Sequence, residues 1–484
     1  MNEITQIMEE VLGEIVPTQQ ELKQIEKIVN LLKNLLVKRA KELKIEFTSI
    51  EPQGSTGIKQ TQLRDDFDID LFIGLDFENY NDDFSSLSKT KFKEKIKKDF
   101  LHLCNNWIIK SLTPREFRNP RLLYAEHPYV TAHYEKDDLN IELDIVLYFE
   151  LDLNFIRENG PITAVDRTPW HGRFIKNELS EEQKNQVRLL KQFFKACHSY
   201  GDKSAVGRVG FIGYSAELLI YYLNDIYNVL QKFDQLDKLA LDFFDREKKY
   251  LKKITHFQND YLLIIDPIDK NRNVASAISG KAYKYCQYKI NQFLNNPLKS
   301  FFEIKEIPLF NPQKNQEINK KLFVIECEST GEEVHYTEKR DKLYSLGENI
   351  KSHGEKELTR ELRFGNIQYE AYFESEKGEF NLALFCSNPI LSPTYIRQGP
   401  PLRAKKHVKR FKEKNPSYFI KDNYCWVEEK REFSNFLKFI EDFVSDKIPK
   451  SLKVINISNS TEAQKSSAKK TLYVLQNWIM PFFE

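Results

Sequence analysis

The sequence contains no apolar run of the roughly 20 residues needed to cross a bilayer, so no membrane-spanning helix is expected. Its 6 cysteines, Cys104, Cys197, Cys286, Cys327, Cys386 and Cys425, lie far apart with no C-x-x-C pair. That spacing argues against a zinc site and a dense disulfide frame, and reduced thiols in the cytoplasm are the simplest reading. Neither sign of charge dominates: 73 basic and 71 acidic side chains leave +2, so only local clusters can argue for a polyanionic partner. There is no internal repeat. The N-terminal segment carries acids and lysines throughout without an unbroken apolar stretch, so a signal peptide is not expected.

What is present is ample apolar material. A chain of 484 residues with 41% hydrophobic side chains, 35 Phe and 23 Tyr suits two to four globular domains. Leu22, Ile25, Ile28, Val29, Leu32, Leu35 and Leu36 recur at helical spacing after Pro17. Phe47 to Ile50, Phe67 to Ile73 and Asn140 to Tyr148 read as strands. Leu179 to Phe244 is patterned as helix. Tyr261 to Ile265, Leu322 to Cys327, Ile367 to Phe373 and Asn381 to Phe385 read as further strands among helices, which gives an α+β, multidomain chain. The polar stretch Ser451 to Lys470 reads as poorly ordered, and Tyr473 to Phe483 as a closing helix.

One constellation names a chemistry. In an extended strand Asp68 and Asp70 share a face while Phe67, Ile69 and Leu71 share the other, so two carboxylates converge beside an apolar anchor. Hard divalent cations, magnesium above all, are held by such carboxylates together with substrate phosphates. Gly54 and Ser55 form a turn just before, where a glycine lets backbone amides approach phosphate oxygens closely. A later alternating strand places Asp144 and Glu142 together on one face, either of which could be a third acid. Asp65 and Asp66 read as turn acids. A Gly-Ser turn alone, or a D-x-D pair alone, is more often a plain turn or a solvated strand face.

Taken together, the Gly-Ser turn, the D-x-D pair and the distal Asp144 resemble the nucleotidyltransferase β superfamily. Tyr124-Ala-Glu-His-Pro-Tyr-Val130, Val165-Asp-Arg-Thr-Pro-Trp-His171, Val187-Arg-Leu-Leu-Lys191 with Tyr200-Gly201, and Asp266 to Ala275 follow in order. With them the chain resembles the class I, archaeal-type CCA-adding enzymes, tRNA nucleotidyltransferases. The resemblance covers most of residues 1 to 280 and resumes from Gln398 to Trp426. It implies a catalytic head with a mixed or antiparallel sheet over 1–150 and a helical neck with the nucleotide pocket over 151–260. A body over 261–320 and 398–484 and a tail over 321–397 would bind tRNA. It also implies Mg2+ on Asp68, Asp70 and Asp144, and addition of CCA to tRNA from CTP and ATP in the cytoplasm.

By the same resemblance, Ser55 contacts phosphates beside Gly54, and His171, Lys191 and Tyr200 bind nucleotide. Arg272 reads the bases, with Asp266 orienting it. From the residues alone, His171 is as readily structural, and Arg272 would pair with Asp269. His127 either approaches the primer end or sits in a loop without a ligand. The family's arginine three residues after the serine is Ile58 here, leaving Lys59 as its substitute, and a serine before the Gly-Tyr pair is replaced by Ile212. The cluster from Arg403 to Lys414, with Lys405, Lys406, Lys409 and Arg410, is either a phosphate-tracking helix or a solvated face. The family commonly forms dimers, which makes a homodimer compatible with the chain. Two other readings compete: a diverged enzyme making oligoadenylate or cyclic nucleotides or extending another RNA, and a non-catalytic RNA-binding protein on this scaffold.

Overall fold

The computed structural model describes residues 3–66, 68–112, 116–124, 127–136, 139–313, 316–331, 334–357, 359 and 361–482. Two compact units emerge: Met1–Cys197 with Phe211–Ile278 and Gln287–Glu303, and His198–Gly210 with Ser279–Cys286 and Ile304–Glu484.

The first unit begins with helices α1 (Glu3–Ile15) and α2 (Gln19–Leu43). Thr18 and Glu21 close a reciprocal capping box at the start of α2, and its apolar stripe from Ile25 to Ala40 is buried, as the periodicity predicts. Five strands follow: β1 (Ser49–Gln53), β2 (Ile69–Asp76), β3 (Phe117–Tyr124), β4 (Pro128–Lys136) and β5 (Leu139–Glu150). They form one mixed sheet in the order β1-β2-β5-β4-β3, with β2 and β5 parallel and the other pairs antiparallel. Between β2 and β3 runs α3 (Lys89–Leu103). Its Phe92, Ile96 and Phe100 join Leu32 and Leu36 of α2 in a core with Leu71, Ile73, Leu143, Ile145 and Leu147. One sheet face is thereby covered, and the alternate side chains, Asp70 and Asp144 among them, are left on the other. Strand β2 begins at Ile69, and Phe67, the expected first strand residue, lies outside the described residues.

Three helices then build the flank of that face: α4 (Thr168–Glu178), α5 (Glu181–Ala196) and α6 (Gly213–Leu223). The expected strand Tyr261 to Ile265 does not form. Leu262 to Ile265 are buried, but backbone pairing is confined to isolated bridges to Leu241 and Asn273. The Asn273 side chain takes the Ile264 amide at 2.9 Å, standing in for a ladder partner.

The second unit holds a four-stranded sheet in the order β12-β6-β8-β7 and a three-stranded sheet in the order β10-β11-β9. Its strands are β6 (Leu322–Ser329), β7 (Ile367–Glu374), β8 (Glu379–Cys386), β9 (Thr394–Pro401), β10 (Phe419–Lys421), β11 (Tyr424–Lys430) and β12 (Leu452–Asn459). Helices α7 (Tyr336–Glu355) and α9 (Phe436–Lys447) pack on the first sheet, and α8 (Lys405–Lys414) on β9. The reading of Ser451 to Lys470 as poorly ordered is wrong: β12 pairs along β6, and α10 (Ser466–Val474) follows. Its polar groups find partners inside. The fully buried Glu326 carboxylate accepts from Asn456 Nδ2 at 2.8 Å and from the amides of Gln464 and Lys465 at 2.9 and 2.8 Å. The closing helix is present as α10 and its irregular continuation; Phe483 lies outside the described residues.

Candidate active site

Sheet register assembles the acids. Asp70 on β2 stands directly opposite Asp144 on β5, and Gln53 on β1 opposite Asp70. On the far side Thr131 of β4 stands opposite Asp144, and Arg121 of β3 opposite Thr131. Partners in register share a face, so this row crosses the sheet on the side away from the core. Continuing the β2–β5 register by one residue brings Asp68 level with Glu142. Asp144 thus answers Asp70, and Glu142 answers Asp68.

The electrostatics agree with that crowding. Loss of surrounding water, then the charges of Asp68 and Asp144, push the Asp70 carboxyl up to about 7. Desolvation, with Glu142 and Asp68 adding to it, raises Asp144 to about 6, and Asp68 is raised by desolvation and by Glu142. Asp144 Oδ1 is buried without a hydrogen-bond partner. Among the described residues no three His, Cys, Asp or Glu side chains form a ready-made metal cluster. The acids stand as mutually repelling neighbours, and a divalent cation is the partner whose charge would relieve them.

Beside them lies the Gly-Ser turn. Gly54 has φ +69°, and a Cβ there would fall 2.3 Å from Asp70 Oδ2, so glycine is required both for the turn and for the approach to the acid. Gln53 Oε1, Thr56 Oγ1 and both side-chain amide atoms of Gln62 are buried without partners around this turn. Ser55 is half-buried, and its carbonyl accepts from the Thr61 amide at 2.9 Å.

A basic face of α5 pins the turn from outside. Arg188 donates to Gln60 O and Gln62 O at 2.6 and 3.0 Å, and Lys191 to Thr61 O and Oγ1 at 3.0 and 2.9 Å. Lys195 pairs with Asp66. From α6 the buried Glu217 accepts from Lys59 Nζ at 2.7 Å and Thr61 Oγ1 at 2.6 Å, with Lys191 Nζ at 3.4 Å. Burial alone would raise the Glu217 carboxyl, but Lys59 and Lys191 hold it below its ordinary range. Burial brings Lys191 down to about 8. Ile58 faces α4, where a Cβ on Gly172 would fall 2.2 Å from its Cγ2.

A second network adjoins through Tyr214. Asp266, fully buried, accepts from Tyr214 Oη at 3.1 Å, the Ile268 amide at 3.0 Å and Arg272 Nη1 at 2.9 Å, and pairs with His171 Nε2 at 2.8 Å. His171 packs on the Tyr214 ring at 4.3 Å, and Lys59 Nζ lies 4.6 Å from that ring's centre. Burial lowers the imidazole below its usual range, with Asp266 opposing, and Nε2 is the donor in this pair, since a carboxylate only accepts. Asp266 itself is held well below the usual carboxylate range by His171 and Arg272, against the effect of burial. The Arg272 side chain does not pair with Asp269; that carboxylate binds Arg167 at 2.7 Å.

Comparison with known proteins meets this geometry. Residues 185–303 match the family model "tRNA nucleotidyltransferase, second domain", and residues 341–452 the model "CCA-adding enzyme, C-terminal domain". The chain is 28% identical over 448 residues to the CCA-adding enzyme of Methanocaldococcus jannaschii, covering 91% of each chain. It is 27% identical to that of Saccharolobus islandicus, covering 88% of this chain and 89% of the relative. The chain is thus similar to archaeal CCA-adding enzymes over about nine-tenths of its length. A crystal structure of the Cid1 poly(U) polymerase is similar at 15% identity and a TM-score of 0.46, covering 63% of this chain and 99% of that one.

The other residues expected from the family belong to other elements of the chain. His127 is buried against Phe100 at 5.4 Å, with Nε2 3.1 Å from Leu147 O, and it lines a groove with Lys93, Lys97 and Ile162; Glu126 lies outside the described residues. Tyr200 belongs to the second unit and is half-buried. Lys405, Lys406, Lys409 and Arg410 are all exposed on α8, which rests on β9 and anchors Phe411 in a small core with Cys425 and Val427. Glu217, Tyr214, Thr61 and Arg188 were not anticipated from sequence. Glu217 did leave a signal, as the one charged residue in the helix Gly-Tyr-Ser-Ala-Glu-Leu-Leu-Ile-Tyr-Tyr-Leu, where a buried acid needs a partner.

Proposed function

We propose that this chain extends tRNA 3′ ends with CCA, using CTP and ATP without a nucleic-acid template and releasing pyrophosphate. The observation that carries the proposal is Asp70 and Asp144 facing each other in register beside the Gly54 turn, in a chain related over nine-tenths of its length to CCA-adding enzymes. Asp68, Asp70 and Asp144 would hold Mg2+, with Glu142 at the margin. When bound, divalent cations lower the pKa of an attacking hydroxyl and neutralise charge in an in-line displacement at phosphorus.

The remaining roles belong to the chain's own residues. The turn from Gly54 to Thr61, pinned by Arg188, Lys191 and Glu217, offers the Ser55 hydroxyl and backbone amides to the triphosphate. Lys59 acts there from inside, holding the turn through Glu217, and Lys191 brings its charge close to the same turn. Arg272, steadied by Asp266 and through it by His171, presents a rigid guanidinium fork to the base. Tyr200 would bind nucleotide, and His127 would approach the primer end. The basic face of α8 would grip the tRNA backbone by charge and shape. No helix among the described residues is long and apolar enough to cross a membrane, and the reading places the enzyme with tRNA in the cytoplasm.

Each labelled nucleoside triphosphate, supplied with and without tRNA lacking its CCA end, tests the proposal. Incorporation of C and A into that tRNA only is expected, abolished by Asp70→Asn while tRNA binding survives. Products formed without tRNA would favour the oligoadenylate or cyclic-nucleotide reading. Unchanged activity in Asp70→Asn would refute the acid assignment.

A further inference from the structure

Strand β3 is an edge strand, yet it carries a device that re-aims one side chain. Arg118 stands opposite His133 and Arg121 opposite Thr131, so three steps along β3 match two along β4. One residue is extra, and Asn119 takes a left-handed φ of 52° beside Pro120. A bulge of this kind reverses which face the following residues occupy, and proline is tolerated there because an edge strand can spare the donor. Without the extra residue, alternation from Arg118 would send Arg121 to the core side. With it, Leu122 packs against the core beside Val130, and Arg121 shares the face of Thr131, Asp144 and Asp70.

Arg121 is exposed, and its charge acts on both Asp144 and the hydroxyl of Tyr129. By contrast, Arg118 on the same face is already paired with Glu135 at 2.9 Å. The position within the row selects the ligand. The Gly54 turn lies on the β1 side of the acids and Arg121 on the β3 side, two strands beyond Asp144. A triphosphate lying in the turn is therefore separated from Arg121 by the acids, whereas the strand that attacks must come from the opposite side.

We infer that Arg121, turned onto the acid face by the β3 bulge, binds a phosphodiester near the 3′ end of the acceptor RNA strand. This rests on the nucleotidyl-transfer reading of the acids. It adds an RNA-side cation to a chain that has Ile58 where its family usually carries an arginine on the nucleotide side.

The test compares Arg121→Ala, Arg121→Lys and wild type in two assays: binding of tRNA lacking its CCA end, without nucleotide and across salt concentrations, and steady-state incorporation. The expected result for Arg121→Ala is about tenfold weaker tRNA binding, a salt slope smaller by about one, and a raised KM for tRNA with KM for CTP and ATP unchanged. Arg121→Lys should recover part of the affinity, since the charge remains. A raised KM for the triphosphates with tRNA binding intact would overturn the inference in favour of a nucleotide contact, and wild-type values in both assays would overturn it outright. The nucleotide-free binding assay keeps this separate from the reaction itself: wild type that binds tRNA but incorporates nothing would count against the proposed function and leave the Arg121 comparison readable.

Discussion

Glu217→Gln removes one negative charge from a buried site where two lysines converge, while keeping the shape of the side chain. In the wild type, Glu217 has Lys59 at 2.7 Å and Lys191 at 3.4 Å, and all three side chains are less than a tenth exposed. Breaking such a pair by removing one partner costs about 3–5 kcal/mol, because the surviving charge stays buried and uncompensated. The amide still accepts from Thr61, which puts the change near the lower end. With a denaturant slope of about 3 kcal/mol/M, the urea midpoint of the first unit should fall by about 1 M at pH 7, read by tryptophan fluorescence.

The pH dependence fixes the sign. Burial lowers Lys191 from the model-peptide value of 10.5 to about 8, so between pH 8 and 10.5 the unfolded chain binds the extra proton. Stability therefore rises with pH through that window, and the penalty is fully present below it. Losing Glu217 lowers Lys191 further, so the variant gives up this proton at lower pH than the wild type does. Its deficit should shrink as pH rises to about 8 and stay at about half its pH 7 size at pH 9. A midpoint within 0.2 M of wild type at pH 7, or a deficit that grows at pH 9, would refute the reasoning.

Three further outcomes follow from the site. Gly54→Ala sets a Cβ 2.3 Å from Asp70 Oδ2 in a backbone with φ +69°, so it should abolish incorporation and cost about 1–3 kcal/mol, measured by turnover and thermal melting. Asp266→Asn weakens the carboxylate that joins His171, Tyr214 and Arg272; a loss of about 2–4 kcal/mol and a parallel rise of KM for CTP and ATP are expected, whereas a change confined to one nucleotide would point to direct base contact. Replacing Lys405, Lys406, Lys409 and Arg410 together by Ala should reduce the salt slope of tRNA binding by about two to four while leaving the melting temperature within about 2 °C, because all four are exposed.

Much of the acid-bearing face was legible in the sequence because strand alternation is a strict rule. Asp68, Asp70 and Asp144 could be assigned to faces from spacing alone, and the sheet then aligned Asp70 with Asp144. Register was not legible: nothing local says that β2 and β5 run parallel side by side, or that Glu142 sits level with Asp68. The turn glycine was legible as a turn, but its close approach to Asp70 depends on β1–β2 pairing. Lys59 could be picked out only by position, and its inward course is set by Glu217, a residue 158 places along the chain. For Arg272 the family resemblance named the right partner, Asp266, whereas spacing alone favoured Asp269, whose carboxylate is taken by Arg167, 102 places away. Ser451 to Lys470 misled for another reason. Polar composition signals a solvated segment unless buried partners exist, and Glu326, on a distant strand, supplies them.

The most direct measurement follows incorporation on three tRNAs truncated before the first C, before the second C and before the final A. The account predicts that the purified chain adds two C and one A to the first, C and A to the second and A alone to the third, each halted by Asp70→Asn. Addition of other nucleotides, extension continuing past A, or equal product in the absence of tRNA would contradict it.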